Sequence, residues 1–287
     1  MTADLRLATR RSPLAMVQTQ SVARRLEAVH PGIRVDLVEI DSTGDLDRTS
    51  PVAALTEMGA FVRSVQAAVL EGRADAAVHS LKDLPTASLP GLVPIAFPER
   101  AEPWDVLVGS TLDALPDGAT VGTGSPRRVA QLRVRRPDLR TAEIRGNVDT
   151  RLRMVRAGEV AAAVLAAAGL QRLGRAENID EVFGIDTMIP APGQGVIVVE
   201  SREDGPAAGL LAAIDDPELR VLAEAERLLL AETGAGCRAA LGVLATRIDG
   251  AIRLEAFVED EWGPRRAAVT GHSPHEVVAA ARKELRL

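Results

Sequence analysis

Lys82 and Asp83 stand side by side in the run His79-Ser80-Leu81-Lys82-Asp83-Leu84-Pro85, in a chain whose 34 lysines and arginines include just two lysines, Lys82 and Lys283. A lysine is a compact charge whose protonation responds to its surroundings, whereas arginine stays charged everywhere. An ammonium kept beside a carboxylate therefore suits a site where protons move. The carboxylate of such a pair stabilises a developing cation, and its acid form protonates a leaving group. The plain alternative, a surface ion pair, contributes little to stability. Arginines form the second group. Arg10 and Arg11 precede Ser12-Pro13, Arg127 and Arg128 follow Ser125-Pro126, and Arg145 and Arg151 flank Gly146-Asn147-Val148-Asp149-Thr150. Guanidinium forks beside a helix start hold carboxylates bidentately. A solvated helix face accounts for Arg153 and Arg156, but it accounts poorly for Arg145 at a strand-to-helix junction. Cys237, the one cysteine, follows Gly234-Ala235-Gly236. It reads either as a buried small hydrophobe or as a thiol to which the glycines give another molecule access.

The elements that must position these groups repeat. Leu5-Arg6-Leu7-Ala8 reads as a buried strand, Ser12 as an N-cap and Pro13 as the first residue of a helix reaching about Val29. The pattern returns as strand Thr120–Gly124, cap Ser125, Pro126 and a helix toward Arg135. Second strands follow at Val35–Ile40 and Leu139–Ile144, and apolar runs follow Gly72 and Gly158, ending at Val78 and Val164. Two similar α/β domains result. In open α/β sheets ligands bind beyond the carboxyl ends of the strands, so both Ser-Pro helices are expected to aim at one cleft. Ser12 and Ser125 also fit a purely capping role.

Pro98–Pro103 reads as a first crossing between the domains. Pro190–Gly195 reads as a second, after which Val196–Glu200 is a strand able to return to the first sheet, and two crossings make a hinge. Residues 41–60 have no clean period and read equally as a lid or as a segment without function. From Asp215 the character changes to a helix near Leu219–Ala231, strands Leu241–Arg247 and Ala251–Val258 joined through Asp249-Gly250, and a helix at Pro274–Leu285. The expected architecture is thus α/β: two α/β domains around a cleft, 1–97 with 196–214 and 98–195, plus a small α+β domain at 215–287.

Composition narrows the chemistry. With 287 residues, 46% apolar and 26% charged, the chain is an ordinary multi-domain globular protein. Aromatics make up 2%, without tyrosine, and the net charge is −6. Stacking on single-stranded nucleic acid and binding to a phosphate backbone are both disfavoured. The start lacks a signal-peptide core and no run approaches the roughly 18 apolar residues of a membrane span. A cytoplasmic protein without membrane partners is expected. One cysteine excludes internal disulfides, and the four histidines lack ligand-like spacing, so no metal is expected.

Taken in order, Ala8-Thr9-Arg10-Arg11-Ser12-Pro13-Leu14-Ala15, Val78-His79-Ser80-Leu81-Lys82-Asp83, Gly122-Thr123-Gly124-Ser125-Pro126-Arg127-Arg128, Arg145–Arg151, Pro192-Gly193-Gln194-Gly195 and Gly236-Cys237 resemble the porphobilinogen deaminase (hydroxymethylbilane synthase) family. The resemblance spans nearly the whole chain. It implies three domains, the first two of periplasmic-binding-protein type, and a dipyrromethane cofactor carried covalently on Cys237. It implies a transferase of tetrapyrrole (haem) biosynthesis that joins four porphobilinogen molecules into hydroxymethylbilane, releases ammonia and works as a monomer. Asp83 is then the catalytic carboxyl. Lys82, Ser125, Arg127, Arg128 and Arg151 hold the cofactor, and Arg10, Ser12, Arg145 and Arg172 hold substrate, since each pyrrole unit brings an acetate and a propionate. The chain departs from the family at Ala54 and at Thr56-Glu57-Met58-Gly59, where many members carry lysines, so lid contacts to substrate differ here.

Overall fold

A computed structural model describes residues 4–41, 59, 62–234 and 240–287. The chain divides into two compact units, residues 1–100 with 196–221 and residues 101–195 with 222–287.

The first unit holds a five-stranded sheet of order β2-β1-β3-β10-β4, in which β1 (Asp4–Arg10), β2 (Arg34–Ile40) and β3 (Ala76–Ser80) are parallel. Strand β10 (Val196–Ser201) runs antiparallel between β3 and β4 (Val93–Arg100). Alternation along each strand decides which face a residue covers. Leu5, Leu7, Ala76, Val78, Ile197 and Val199 pack under α1 (Pro13–Val29), against its Val22, Ala23 and Leu26. Ala8 and Ala77 point the other way, to Val65, Ala68 and Val69 of α2 (Arg63–Leu70). With both faces covered, the strands are apolar on both sides. Helix α1 begins as the sequence predicts: Ser12 accepts from Ala15 N at 3.4 Å and Pro13 occupies the first turn.

The second unit repeats the pattern in order β7-β6-β8-β5-β9. Here β6 (Thr120–Gly122), β7 (Arg140–Ala142) and β8 (Ala162–Ala166) are parallel. Strand β5 (Asp105–Val108) is antiparallel to β8 and borders the short β9 (Glu181–Val182). Leu107, Val121, Val164 and Leu132 of α3 (Pro126–Arg135) form one core. Val106, Leu165, Leu152 of α4 (Val148–Arg156) and Leu170 of α5 (Ala167–Arg172) form the other. Past the short α6 (Ala208–Ala212) and α7 (Pro217–Glu232), an antiparallel sheet of β11 (Ala240–Ile248), β12 (Ala251–Asp260) and β13 (Gly263–Gly271) precedes α8 (Pro274–Leu285). This sheet meets the second α/β core through Phe257 against Ala130 and Ile189, and through Val243 N donating to Pro190 O at 2.9 Å.

Two strands differ in extent from the sequence reading. Strand β4 runs through Pro98 to Arg100, so the crossing begins at Ala101, because Pro98 falls at a register break where β10 jumps between its partners Glu99 and Ala96. A residue without an N–H is tolerated at such a bulge. Strand β7 stops at Ala142 where Leu139–Ile144 was predicted. By compactness the chain divides at 100/101, 195/196 and 221/222, with residues 222–287 in the same unit as 101–195. The expected lid lies almost wholly outside the described residues. Among the described residues no helix is long and apolar enough to cross a membrane.

The two crossing segments touch: Ala101 N donates to Gly195 O at 3.0 Å. Gly195 has φ +84°, and a Cβ there would lie 2.4 Å from Ala101 O. Gly195→Ala combines left-handed strain with a backbone clash and is expected to cost at least about 2 kcal/mol. Denaturant unfolding of the two proteins checks this, and equal midpoints would contradict it.

Candidate active site

The groups marked by the sequence collect at the carboxyl ends of the parallel strands. In the first unit Arg10 ends β1 and Ser12 follows it. The chain leaving β3 makes a single 3₁₀ turn, Leu81–Asp83, which sets Lys82 and Asp83 half-buried beyond the strand end. Leu81 is buried beneath the turn and anchors it. Arg10, Ser12 and Asp83 line one small open cleft together with Gln18, His79 and Ser80. Ser12 Oγ serves as the helix cap, which leaves its O–H to donate outward. Lys82 adjoins Asp83 in the turn without being part of that lining.

Gln18, His79 and Ser80 have no role in the sequence reading. Gln18 Nε2 donates to Ser80 Oγ at 2.8 Å and so ties α1 to the strand that delivers Asp83. Beneath the cleft, His79 Nε2 lies 3.3 Å from Glu200 Oε2, at ion-pair distance but not aligned as a hydrogen bond, and Gln66 Nε2 donates to the same oxygen at 2.8 Å. One signal for Gln18 exists in the sequence: it sits on the same helix stripe as Val22 and Leu26, where an apolar residue is the rule.

The second unit holds the other predicted residues. Ser125 takes the N-cap position of α3 without a side-chain cap bond, unlike Ser12. Arg127 and Arg128 are 3% and 6% exposed, and both reach Asp105, the first residue of β5, which is fully buried. Arg127 Nη1 donates to Asp105 Oδ2 at 2.6 Å and to Ile189 O at 2.7 Å. Arg128 commits all three nitrogens: Nε and Nη2 to Asp105 Oδ1 at 3.0 and 2.6 Å, and Nη1 to Val164 O at 2.9 Å. Gln194 Nε2 donates to Asp105 Oδ1 at 3.0 Å and to Pro103 O at 2.7 Å. Burial alone would raise the Asp105 carboxyl, but the two guanidiniums and the hydrogen bonds from Arg127 and Gln194 outweigh it and hold the group well below the usual carboxylate range. Arg145 and Arg151 flank the turn after β7: Arg145 Nε is 3.5 Å from Glu143 Oε1, and Arg151 Nε donates to Gly146 O at 3.0 Å. Arg172 ends α5 and donates to Gly195 O at 2.8 Å. The structure thus joins Arg127 to Arg128 and sets Arg145 beside Arg151, with Arg172 on the crossing backbone. Asp105 escaped the sequence reading because nothing in Trp104-Asp105-Val106 marks an acid that two distant arginines will claim. Cys237 lies outside the described residues.

Two buried donors, Arg127 Nε and Arg145 Nη2, have no partner among the described residues. Cationic donors of this kind suit carboxylate acceptors. The family model for porphobilinogen deaminase, dipyrromethane cofactor binding domain, matches residues 5–208, and the chain belongs to this family. Porphobilinogen deaminase from Acidothermus cellulolyticus is 49% identical over 277 residues, covering 93% of this chain and 83% of its own. Porphobilinogen deaminase 1 from Streptomyces coelicolor is 46% identical, covering 98% and 93%. A probable porphobilinogen deaminase from Pyrobaculum neutrophilum is 42% identical, covering 95% and 94%. The orphaned donors fit the acidic side chains of a dipyrromethane.

Asp105 contributes stability only while it is ionised and the arginines are charged. Its carboxyl is depressed in the fold, so this contribution is complete above the unfolded value of about pH 4 and is lost as the pH falls toward the folded value. Asp105→Asn is therefore expected to be several kcal/mol less stable at neutral pH, ~3–5 by analogy with broken buried ion pairs. Denaturant titrations should show that gap narrowing below about pH 4. A gap of constant size from pH 7 to pH 2 would count against this account.

Proposed function

We propose that Asp83 is the catalytic carboxyl of this chain and that Cys237 carries its dipyrromethane covalently. As a member of the family the chain is a transferase, hydroxymethylbilane synthase, which condenses four porphobilinogen molecules head to tail into hydroxymethylbilane and releases ammonia. The observation that carries the reading is the cleft at the carboxyl ends of β1 and β3, where Asp83 faces the space shared with Arg10 and Ser12.

In each turnover the bond between the aminomethyl carbon and nitrogen breaks, ammonia leaves, and a carbon–carbon bond forms with loss of a ring proton. The carbon left by ammonia is a cation delocalised into its pyrrole. Asp83 sits half-buried, where a carboxylate interacts more strongly with a neighbouring charge than it does in water. It steadies the cation and, as the acid, returns a proton to the departing amine. Lys82 keeps the local charge balanced as Asp83 changes state. Arg10 and the outward O–H of Ser12 hold a carboxylate of the incoming unit, and Arg145 and Arg172 hold the lengthening chain. When bound, the dipyrromethane would supply the free α-carbon on which the chain starts, each added ring then offering its own free α-carbon to the next unit. Lys82, Ser125, Arg127, Arg128 and Arg151 hold its acetate and propionate groups. Arg127 takes the larger share, because Arg128 already has each of its nitrogens engaged.

The same reading treats residues 1–97 with 196–214, 98–195 and 215–287 as three domains; the separate three-stranded sheet of the last segment supports it. It also takes the chain to work as a cytoplasmic monomer, with no nucleic-acid or membrane partner.

Intact-protein mass, measured on protein from cells that make porphobilinogen, tests the attachment. The wild type should carry the added mass of two linked pyrrole units and Cys237→Ala should carry none; an unmodified wild type would return the chain to a non-catalytic binding role. Asp83→Asn keeps size and polarity while removing the acid, and kcat is expected to drop ~10²- to 10⁴-fold with a smaller change in KM. A variant within threefold of wild type would remove Asp83 from the chemistry.

A further inference from the structure

The run Pro192-Gly193-Gln194-Gly195 is left without a chemical role by the mechanism above, yet Gln194 is 1% exposed and its amide enters the Asp105 cluster. We propose that Asp105 and Gln194 are positioning residues for one carboxylate of the bound cofactor, which docks on the Nε edge of Arg127. The proposal rests on the reading that Arg127 holds the dipyrromethane.

Charge is the first argument. Two guanidiniums face one carboxylate, so the cluster carries one positive charge in excess. The charged groups acting on Arg127 are Asp105 and Arg128, one of each sign, while burial works against its charged form. Buried charge is costly unless something neutralises it. A fold that needed only to satisfy itself would be served by one arginine.

Geometry is the second. The two arginines are adjacent in sequence but not equivalent. Arg128 has every nitrogen bonded to Asp105 or to Val164 O. Arg127 has its Nη1 doubly engaged, by Asp105 and Ile189 O, while its Nε is buried without a partner among the described residues. Asp105 thus grips Arg127 by one nitrogen and leaves Nε, on the other edge of the fork, without an acceptor among the described residues. A carboxylate on that edge restores charge balance and supplies the missing acceptor.

Gln194 is the third. Its Nε2 bridges Asp105 and Pro103 O, while its Oε1 is buried and unpartnered among the described residues. An amide at this position fixes the carboxylate without adding charge. A glutamate of the same shape would set a carboxylate oxygen against Asp105 Oδ1 and Pro103 O, where only a donor fits.

The test uses the full chain made in cells that lack porphobilinogen and then given porphobilinogen, with the gain of two linked pyrrole units followed by intact mass and melting measured beforehand. Gln194→Met keeps the length of the side chain and removes both donors; assayed below its melting temperature, it is expected to gain the mass at least about tenfold more slowly. Mass gain at the wild-type rate overturns the proposal. Should Gln194→Met fail to fold, Arg127→Lys decides, assayed in the same way: it keeps the charge but lacks the Nε edge, so slow loading supports the proposal and wild-type loading overturns it. A wild type that gains no mass sinks the covalent-cofactor reading itself, and this is distinguishable from a wild type that loads while its variants keep pace.

Discussion

One buried carboxylate organises the second half of this molecule. Asp105 stands at the first position of β5 and receives donors from α3 through Arg127 and Arg128 and from the return crossing through Gln194. Each donor extends its reach: Arg128 on to the backbone of β8, Arg127 to Ile189, and Gln194 to Pro103. Sheet, helix and both crossing segments are thereby held by a single ionised group. Such a group cannot be exchanged for a neutral one without leaving two cations in an apolar interior.

The first half relies on topology more than on charge. Its working residues stand at strand ends, where a parallel sheet presents loops and helix starts together on one edge. The supports below are polar but short-range: the Ser12 cap, the Gln18 link to Ser80, and the Gln66–Glu200–His79 group under β3 and β10. A strand end followed by a one-turn helix gives Asp83 a defined direction, because Leu81 and Leu84 on either side are both buried.

Much of this was legible in the sequence because it follows from local rules. Ser-Pro starts, period-2 strands and glycine-bounded turns mark β1, α1, β6, α3 and α8, each of which begins or ends within a few residues of its predicted place. Arg10 and Ser12 could be grouped because the carboxyl-end rule places both at one strand end, and the family resemblance set Asp83 beside them. What stayed hidden depends on partners far apart along the chain. Asp105 meets Arg127 and Arg128 across 22 and 23 residues and Gln194 across 89, and no local pattern announces such pairings. The extent of β4 was hidden for another reason: Pro98 reads locally as a strand breaker, and only the bulge in β4 itself, opposite Val198 of β10, accommodates it.

Strand order has a consequence for the order of assembly. The sheet of the second unit draws all its strands from residues 105–182, a contiguous stretch, whereas the first sheet needs β10, made about a hundred residues after β3. Since β10 lies between β3 and β4, strand β4 has no neighbour in its own sheet until Val196–Ser201 arrives. During vectorial synthesis the later-encoded sheet can close first, while the earlier one waits with an open edge on β3 that must stay protected from other chains.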